Sequence, residues 1–136
     1  ERLELLDALG REAGIAFQIQ DDLLDAVGQP GDFGKKIGGD IIEGKMTYLT
    51  IQALNKASEK EYGFLTGVLQ KQAAQVSEED IEKVVDLYQN LNVLDEAREA
   101  IEKYYNKAER YVEGLDNSEY KEQLVNVFST LADRKI

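Results

Sequence analysis

The chain has 136 residues, 27 of them acidic and 16 basic, for a net charge of −11 at pH 7. It has no cysteine and no histidine, which excludes disulfides, thiolate nucleophiles, imidazole general bases and the usual zinc sites. The negative surplus disfavours nucleic acid and anionic membranes as partners but leaves room for an anionic small ligand that arrives with a divalent cation. With 43% hydrophobic residues the length suits one domain with one core. No apolar run reaches the ~18 residues of a membrane span and no signal or lipidation motif is visible, so the cytoplasm is the expected compartment.

Apolar residues recur at helical spacing along almost the whole chain. The first helix is predicted from about Leu3 to Ala26. Its pattern of Leu3, Leu6, Leu9 and Ala13 starts at once, with Glu1 rather than a methionine and no capping residue before it. The chain therefore reads as entered mid-helix, as a portion of something longer. The loop "GQPGDFG", Gly28 to Gly34, ends that helix, because three glycines and Pro30 will not continue it. A second helix is expected to start near Glu43–Lys45 and to carry Tyr48, Leu49, Ile51, Gln52 and Leu54.

Ser58 with Glu61 and Ser77 with Asp80 form capping-box patterns, predicting helices through about Leu69 and Tyr88. A long helix follows from about Val93 to Gly114, with the stripe Leu94, Ala97, Ile101, Tyr104, Ala108, Tyr111, Leu115. Asn117 or Ser118 caps a last helix bearing Tyr120, Leu124, Val127, Phe128 and Leu131. Tyrosines at this spacing read as core or groove residues, and the helices beyond residue 77 as scaffold. No alternating strand pattern or repeat occurs. The expected fold is all-α, a bundle of antiparallel helices without an internal domain boundary.

The chemistry concentrates in "FQIQDDLLDAVGQPGDFGKKIGGDIIEGKMT", residues 17–47. On a helical wheel Ile15, Ile19, Leu23 and Val27 form an apolar stripe, with Phe17 and Leu24 on an apolar flank. Gln18, Asp21, Asp22 and Asp25 share a narrow polar strip, which meets either bulk water or a wet cavity. Like charges at i,i+3 and i,i+4 repel, aspartate is a poor helix former, and the acids crowd the negative end of the helix dipole. Lys45 is placed at the positive start of the next helix, and Lys35 and Lys36 lie in a glycine-flanked segment whose backbone can approach a ligand closely. A hard divalent cation joined to a diphosphate relieves both sets of penalties. Oxygen-only ligands favour Mg2+, which binds through one or two carboxylates, waters and phosphate oxygens.

At these residues the chain resembles the trans-isoprenyl diphosphate synthases, the family of farnesyl and geranylgeranyl diphosphate synthases. "FQIQDDLLD" is similar to their second aspartate-rich motif, and "GKKIGGDIIEGKMT" to the lysine-bearing segment after it. The resemblance implies an all-α prenyltransferase fold and the condensation of isopentenyl diphosphate with an allylic diphosphate, assisted by Mg2+. It implies Asp21 as a direct Mg2+ ligand, with Asp22 and Asp25 holding that metal's waters or orienting the first ligand. Asp40 becomes a further supporting carboxylate. Lys45 and one of Lys35 or Lys36 bind diphosphate, and Gln18 lies along the cavity near the reacting carbons. Thr47 and Phe17 become packing or supporting residues.

It also implies a homodimer. The sequence has a single D-D pair, Asp21–Asp22, and no basic cluster before it for isopentenyl diphosphate. Residues 1–136 are therefore expected to be the C-terminal part of one prenyltransferase domain, whose N-terminal half with the first aspartate-rich motif is missing, and to be inactive alone. The alternatives are a catalytically silent helical partner subunit of a prenyl synthase, an acidic interaction module, and a terpene cyclase, whose N-D-x-x-S-x-x-x-E spacing is not seen.

Overall fold

The structure, a computed structural model, describes residues 2–28, 37–114 and 119–132. Among them all repeating structure is helical and no strand occurs, as the patterning predicts. Helix α1 is Arg2–Val27, α2 Gly39–Ile42, α3 Tyr48–Lys56, α4 Glu59–Leu69, α5 Glu78–Asn90, α6 Val93–Glu113 and α7 Glu119–Ala132, with a 3-10 turn at Ala73–Gln75. Most of the loop at Gly28–Gly34, Lys35, Lys36 and the capping candidates Asn117 and Ser118 lie outside the described residues.

The chain divides into two compact units. One comprises residues 1–20 and 98–135; the other comprises residues 21–97. In the first, Leu9, Ala16, Ile19, Ile101, Tyr105, Ala108 and Val112 are buried. The second is where the short helices pack: α3 against α5, α2 against α4 and α5, and α4 against α5. Leu23, Leu49, Ala53, Leu65 and Val84 are each no more than 1% exposed in it.

Both predicted capping boxes form. Ser58 Oγ accepts from the Glu61 N–H at 3.2 Å while Glu61 Oε1 accepts from the Ser58 N–H at 2.9 Å. Ser77 and Asp80 repeat the exchange at 3.0 and 3.1 Å, and Lys71 Nζ adds a 2.8 Å contact to Asp80 Oδ2. The Lys71 ammonium, followed by the Ser77 N–H, holds the Asp80 carboxyl below its ordinary value of 3.8. A depressed carboxylate contributes stability that is complete above the unfolded-state value and disappears as pH falls through the folded-state value. The thermal midpoint of Asp80→Asn should therefore lie below that of the unsubstituted protein at neutral pH, and the gap should close as the pH drops below about 3.8. A gap that stays constant down to acid pH would contradict this role.

Three sequence expectations shift. Helix α3 starts at Tyr48 rather than near Glu43–Lys45. Gly44 adopts the left-handed conformation (φ +68), which breaks any helix entering from Glu43, and Thr47 is the true cap, its side chain accepting from the Thr50 N–H. The stripe on α6 runs Leu94, Ala97, Ile101, Tyr105, Ala108, Val112, so Tyr105 and Val112 are buried in place of the expected Tyr104 and Tyr111. The expected stripe follows a 3.5-residue repeat, whereas a helix of 3.6 residues per turn drifts by ~20° per heptad away from it. On α1 likewise, steps of four overshoot. Ala16 and Ala26 are buried, while Ile15 is 36% exposed and Val27 only half-buried.

The link from α5 to α6 turns on Asn92 (φ 64), a residue type that tolerates left-handed backbone. Lys56 closes it from α3, donating to the Leu91 carbonyl at 3.1 Å and pairing with Glu96.

Candidate magnesium diphosphate site

The last two turns of α1 and the segment 37–48 are sewn together by three hydrogen bonds. The Gly38 N–H donates to the Asp25 carbonyl at 2.6 Å. The Asp40 N–H donates to Asp25 Oδ2 at 2.8 Å, and the Tyr48 N–H donates to Asp22 Oδ2 at 3.1 Å. Asp40 and Tyr48 occupy the first turns of α2 and α3, where N–H groups have no partner within their own helix. Two aspartates at the unfavourable end of one helix thus cap the starts of two others. Part of the electrostatic penalty seen in the sequence is relieved by the chain's own backbone.

Glycine makes the segment's path possible. Gly38 (φ +85) lies so near α5 that a Cβ there would meet Ile81 Cγ2 at 2.6 Å. At Gly44 a Cβ would collide with the Leu69 carbonyl oxygen of α4. Just past Gly44 the Lys45 N–H donates to the Asp40 carbonyl at 2.9 Å. Lys45 therefore lies in the connector before the Thr47 cap, and not at a helix start; its charge is placed by this turn and not by a dipole.

The side chains of that turn form an exposed cluster. Lys45 Nζ lies 3.3 Å from Glu43 Oε2 and 3.6 Å from Asp40 Oδ1. Glu43 does most to raise the Lys45 ammonium above its ordinary value, with Asp40 second. Partial burial and the Asp25 carboxylate push Asp40 above its ordinary value, Asp22 adds to this, and Lys45 opposes it. The net result is still upward. Lys45 meets two carboxylates, Glu43 and Asp40, and Asp25 and Asp22 stand close enough to Asp40 to raise it further.

Of the residues predicted from sequence, Asp22, Asp25, Asp40 and Lys45 are brought together. Asp22 is buried, and Asp25 and Asp40 are half-buried. Asp21 and Gln18, one helical turn apart on α1, are both exposed. The flank of Phe17 and Leu24 is not a buried one: Phe17 is 41% exposed and Leu24 half-buried. Among the described residues no three acidic side chains converge as a closed metal cage. The donor set still fits Mg2+, a hard cation that keeps several waters and takes one or two carboxylates together with phosphate oxygens.

A buried polar chain beneath this cluster has no counterpart in the sequence reading. Thr47 Oγ1 donates to Thr50 Oγ1 at 3.2 Å, and Thr50 Oγ1 and the Tyr88 hydroxyl share a hydrogen bond of 2.8 Å. Thr47 is a supporting residue, as expected, and the cap is that support. The sequence signal for the rest is a threonine three residues after a threonine, which reads as an N-cap and nothing more.

Comparison with known proteins bears on the chain as a whole. Residues 1–88, which hold both motifs, match the family model for polyprenyl synthetase. A short chain isoprenyl diphosphate synthase of Methanothermobacter thermautotrophicus is 30% identical over 135 residues, covering 99% of this chain and 40% of that protein. The crystal structure of a decaprenyl diphosphate synthase from Rhodobacter capsulatus superposes with a TM-score of 0.85 at 28% identity, covering 99% of this chain and 41% of that one. A polyprenyl synthase from Caulobacter crescentus, solved in complex with calcium and isoprenyl diphosphate, gives a TM-score of 0.79 at 26% identity, covering 98% and 40%. The chain thus spans about two fifths of the length of the relatives it matches. With motifs, helical fold and family model in agreement, the chain belongs to the polyprenyl synthetase family.

Proposed function

We propose that the protein carrying these residues is a trans-prenyltransferase that condenses isopentenyl diphosphate with an allylic diphosphate to give a longer isoprenyl diphosphate. Residues 1–136 form the part of its domain with the second aspartate-rich motif. The observation that carries this reading is the stitching of Asp22 and Asp25 to the segment bearing Asp40 and Lys45, which sets buried and half-buried carboxylates beside an exposed ammonium. The Caulobacter crescentus relative was solved with a divalent cation and an isoprenyl diphosphate together, the same ligand pairing that this arrangement suits.

The roles are those that the family resemblance implies, and the placement is compatible with them. Asp21, exposed on α1, would be a direct Mg2+ ligand. Asp22 and Asp25 keep one oxygen each on backbone N–H groups, so their carboxylates are fixed in direction and act on the metal's waters or orient Asp21. Bound Mg2+ would stabilise negative charge on the leaving diphosphate as the allylic cation forms. Lys45 exchanges its contacts with Glu43 and Asp40 for diphosphate oxygens; an exposed ion pair is worth little, so the exchange costs little. Lys35 or Lys36 would add a second ammonium, and Gln18 would lie along the cavity near the reacting carbons. The departing diphosphate serves as the base, so a chain without histidine suffers no deficit. The single D-D pair supplies one of the two acidic motifs the family uses, so these 136 residues alone should bind diphosphate without turning over substrate.

The test is binding of inorganic pyrophosphate with and without Mg2+, followed by calorimetry. Binding should require Mg2+. Asp21→Ala should weaken it by at least the roughly 10–100-fold that loss of an outer-shell partner costs and leave helix content unchanged, since Asp21 is exposed. Equal affinity in the variant, or binding indifferent to Mg2+, would favour an acidic interaction module instead.

A further inference from the structure

We propose that Tyr88 is a positioning residue: through Thr50 it holds the first turn of α3 against Asp22 and so fixes the direction in which the Asp22 carboxylate faces. The proposal rests on the reading of Asp22 as part of the magnesium diphosphate site.

Tyr88 and Thr50 are each 1% exposed, and their hydroxyls meet at 2.8 Å across the α3–α5 contact. A buried hydroxyl without a partner is costly, so this pairing pins α3 to α5 at one angular setting. Thr50 is bound in turn to the N-cap Thr47, by its N–H and through its own Oγ1, both at 3.2 Å. The next N–H after that cap, from Tyr48, is the one that Asp22 Oδ2 accepts. The path from the tyrosine on α5 to the carboxylate on α1 thus consists of Thr50, the Thr47 cap and one N–H.

The surroundings suit this use. Burial above all, with Asp40, Asp22 and Asp25 adding to it, pushes the Tyr88 phenol up to about 12. The hydroxyl therefore stays protonated, as a neutral clamp beneath a negative cluster. Val84, one turn earlier on α5, is fully buried and anchors the helix independently of the hydroxyl.

Tyr88→Phe keeps the ring and removes only the clamp. Amide hydrogen exchange, followed by NMR on the ligand-free chain, should show the Tyr48 N–H losing at least five-fold protection, while the Val84 N–H changes by less than two-fold. Thr50→Val should reproduce the pattern. The apparent Kd for magnesium pyrophosphate should rise three- to ten-fold in both variants. A residue that merely stabilises the core predicts a uniform loss of protection across α3 and α5 with affinity unchanged, and that result overturns the proposal, as does a Tyr48 N–H that exchanges as in the unsubstituted chain. If the unsubstituted chain fails to bind magnesium pyrophosphate, the functional reading falls, while the exchange pattern still decides whether the tyrosine holds α3 to Asp22.

Discussion

Gly44→Ala should lower the stability of the unit formed by residues 21–97 more than alanine at either Gly38 or Gly63. Left-handed backbone costs an L-residue about 1–2 kcal/mol, and forcing extra volume into a packed site costs about 1–3 kcal/mol more, giving an expected loss of about 2–5 kcal/mol. Both contributions apply at Gly44: its φ is +68, and the added Cβ points into the Leu69 carbonyl oxygen, a backbone atom that no rotamer change can move aside. Gly38→Ala is the milder case. Its φ is +85, but the obstacle is Ile81 Cγ2, a methyl of a stiff β-branched side chain that yields less easily than a long one and more easily than backbone.

Gly63 supplies the control. It lies within α4 with nothing within 4 Å of a Cβ, so alanine there should be neutral or stabilising by up to about 1 kcal/mol. Urea unfolding would measure all three. A Gly44→Ala midpoint equal to that of Gly63→Ala would show that the turn before Lys45 is not built as described.

Asp22→Ala should damage stability and ligand binding together, which separates it from Asp21→Ala. Asp22 is buried and accepts the Tyr48 N–H, so its loss leaves a helix-start donor without a partner, at a cost of about 1–2 kcal/mol. It also removes a charge from the proposed metal site, so Mg2+-dependent pyrophosphate affinity should fall by about 10–100-fold. Asp22→Asn divides the two effects, because the amide oxygen can still accept from Tyr48 while the charge is gone. Its unfolding midpoint should recover most of the loss, and its affinity should not. If asparagine restores binding as well, Asp22 is a structural cap only, and the metal site must be drawn around Asp21 and Asp25.

What can be read from the sequence is local. The capping boxes at Ser58 and Ser77 are legible because each is complete within four residues. The candidate site's residue types stand out because three aspartates near the end of one helix are unfavourable there and lysines follow among glycines. What escapes is whatever depends on distant partners. Asp22 meets Tyr48 across 26 positions, Asp25 meets Asp40 across 15, and Thr50 meets Tyr88 across 38. No pattern within a helix encodes such pairings. They convert the expected need for an external cation into a need that the chain itself partly meets. The start of α3 is misplaced for a smaller reason: spacing makes Lys45 look like a helix residue, while Gly44 and Thr47 together specify a turn and a cap.

Gln20 is 1% exposed, and its Oε1 accepts from the Tyr105 hydroxyl at 2.9 Å. Both residues lie in the unit of residues 1–20 and 98–135. Slippage of α1 by a single residue would turn Gln20 through ~100° and break this bond between two buried side chains. The pair thus sets the rotation at which α1 meets α6 within that unit.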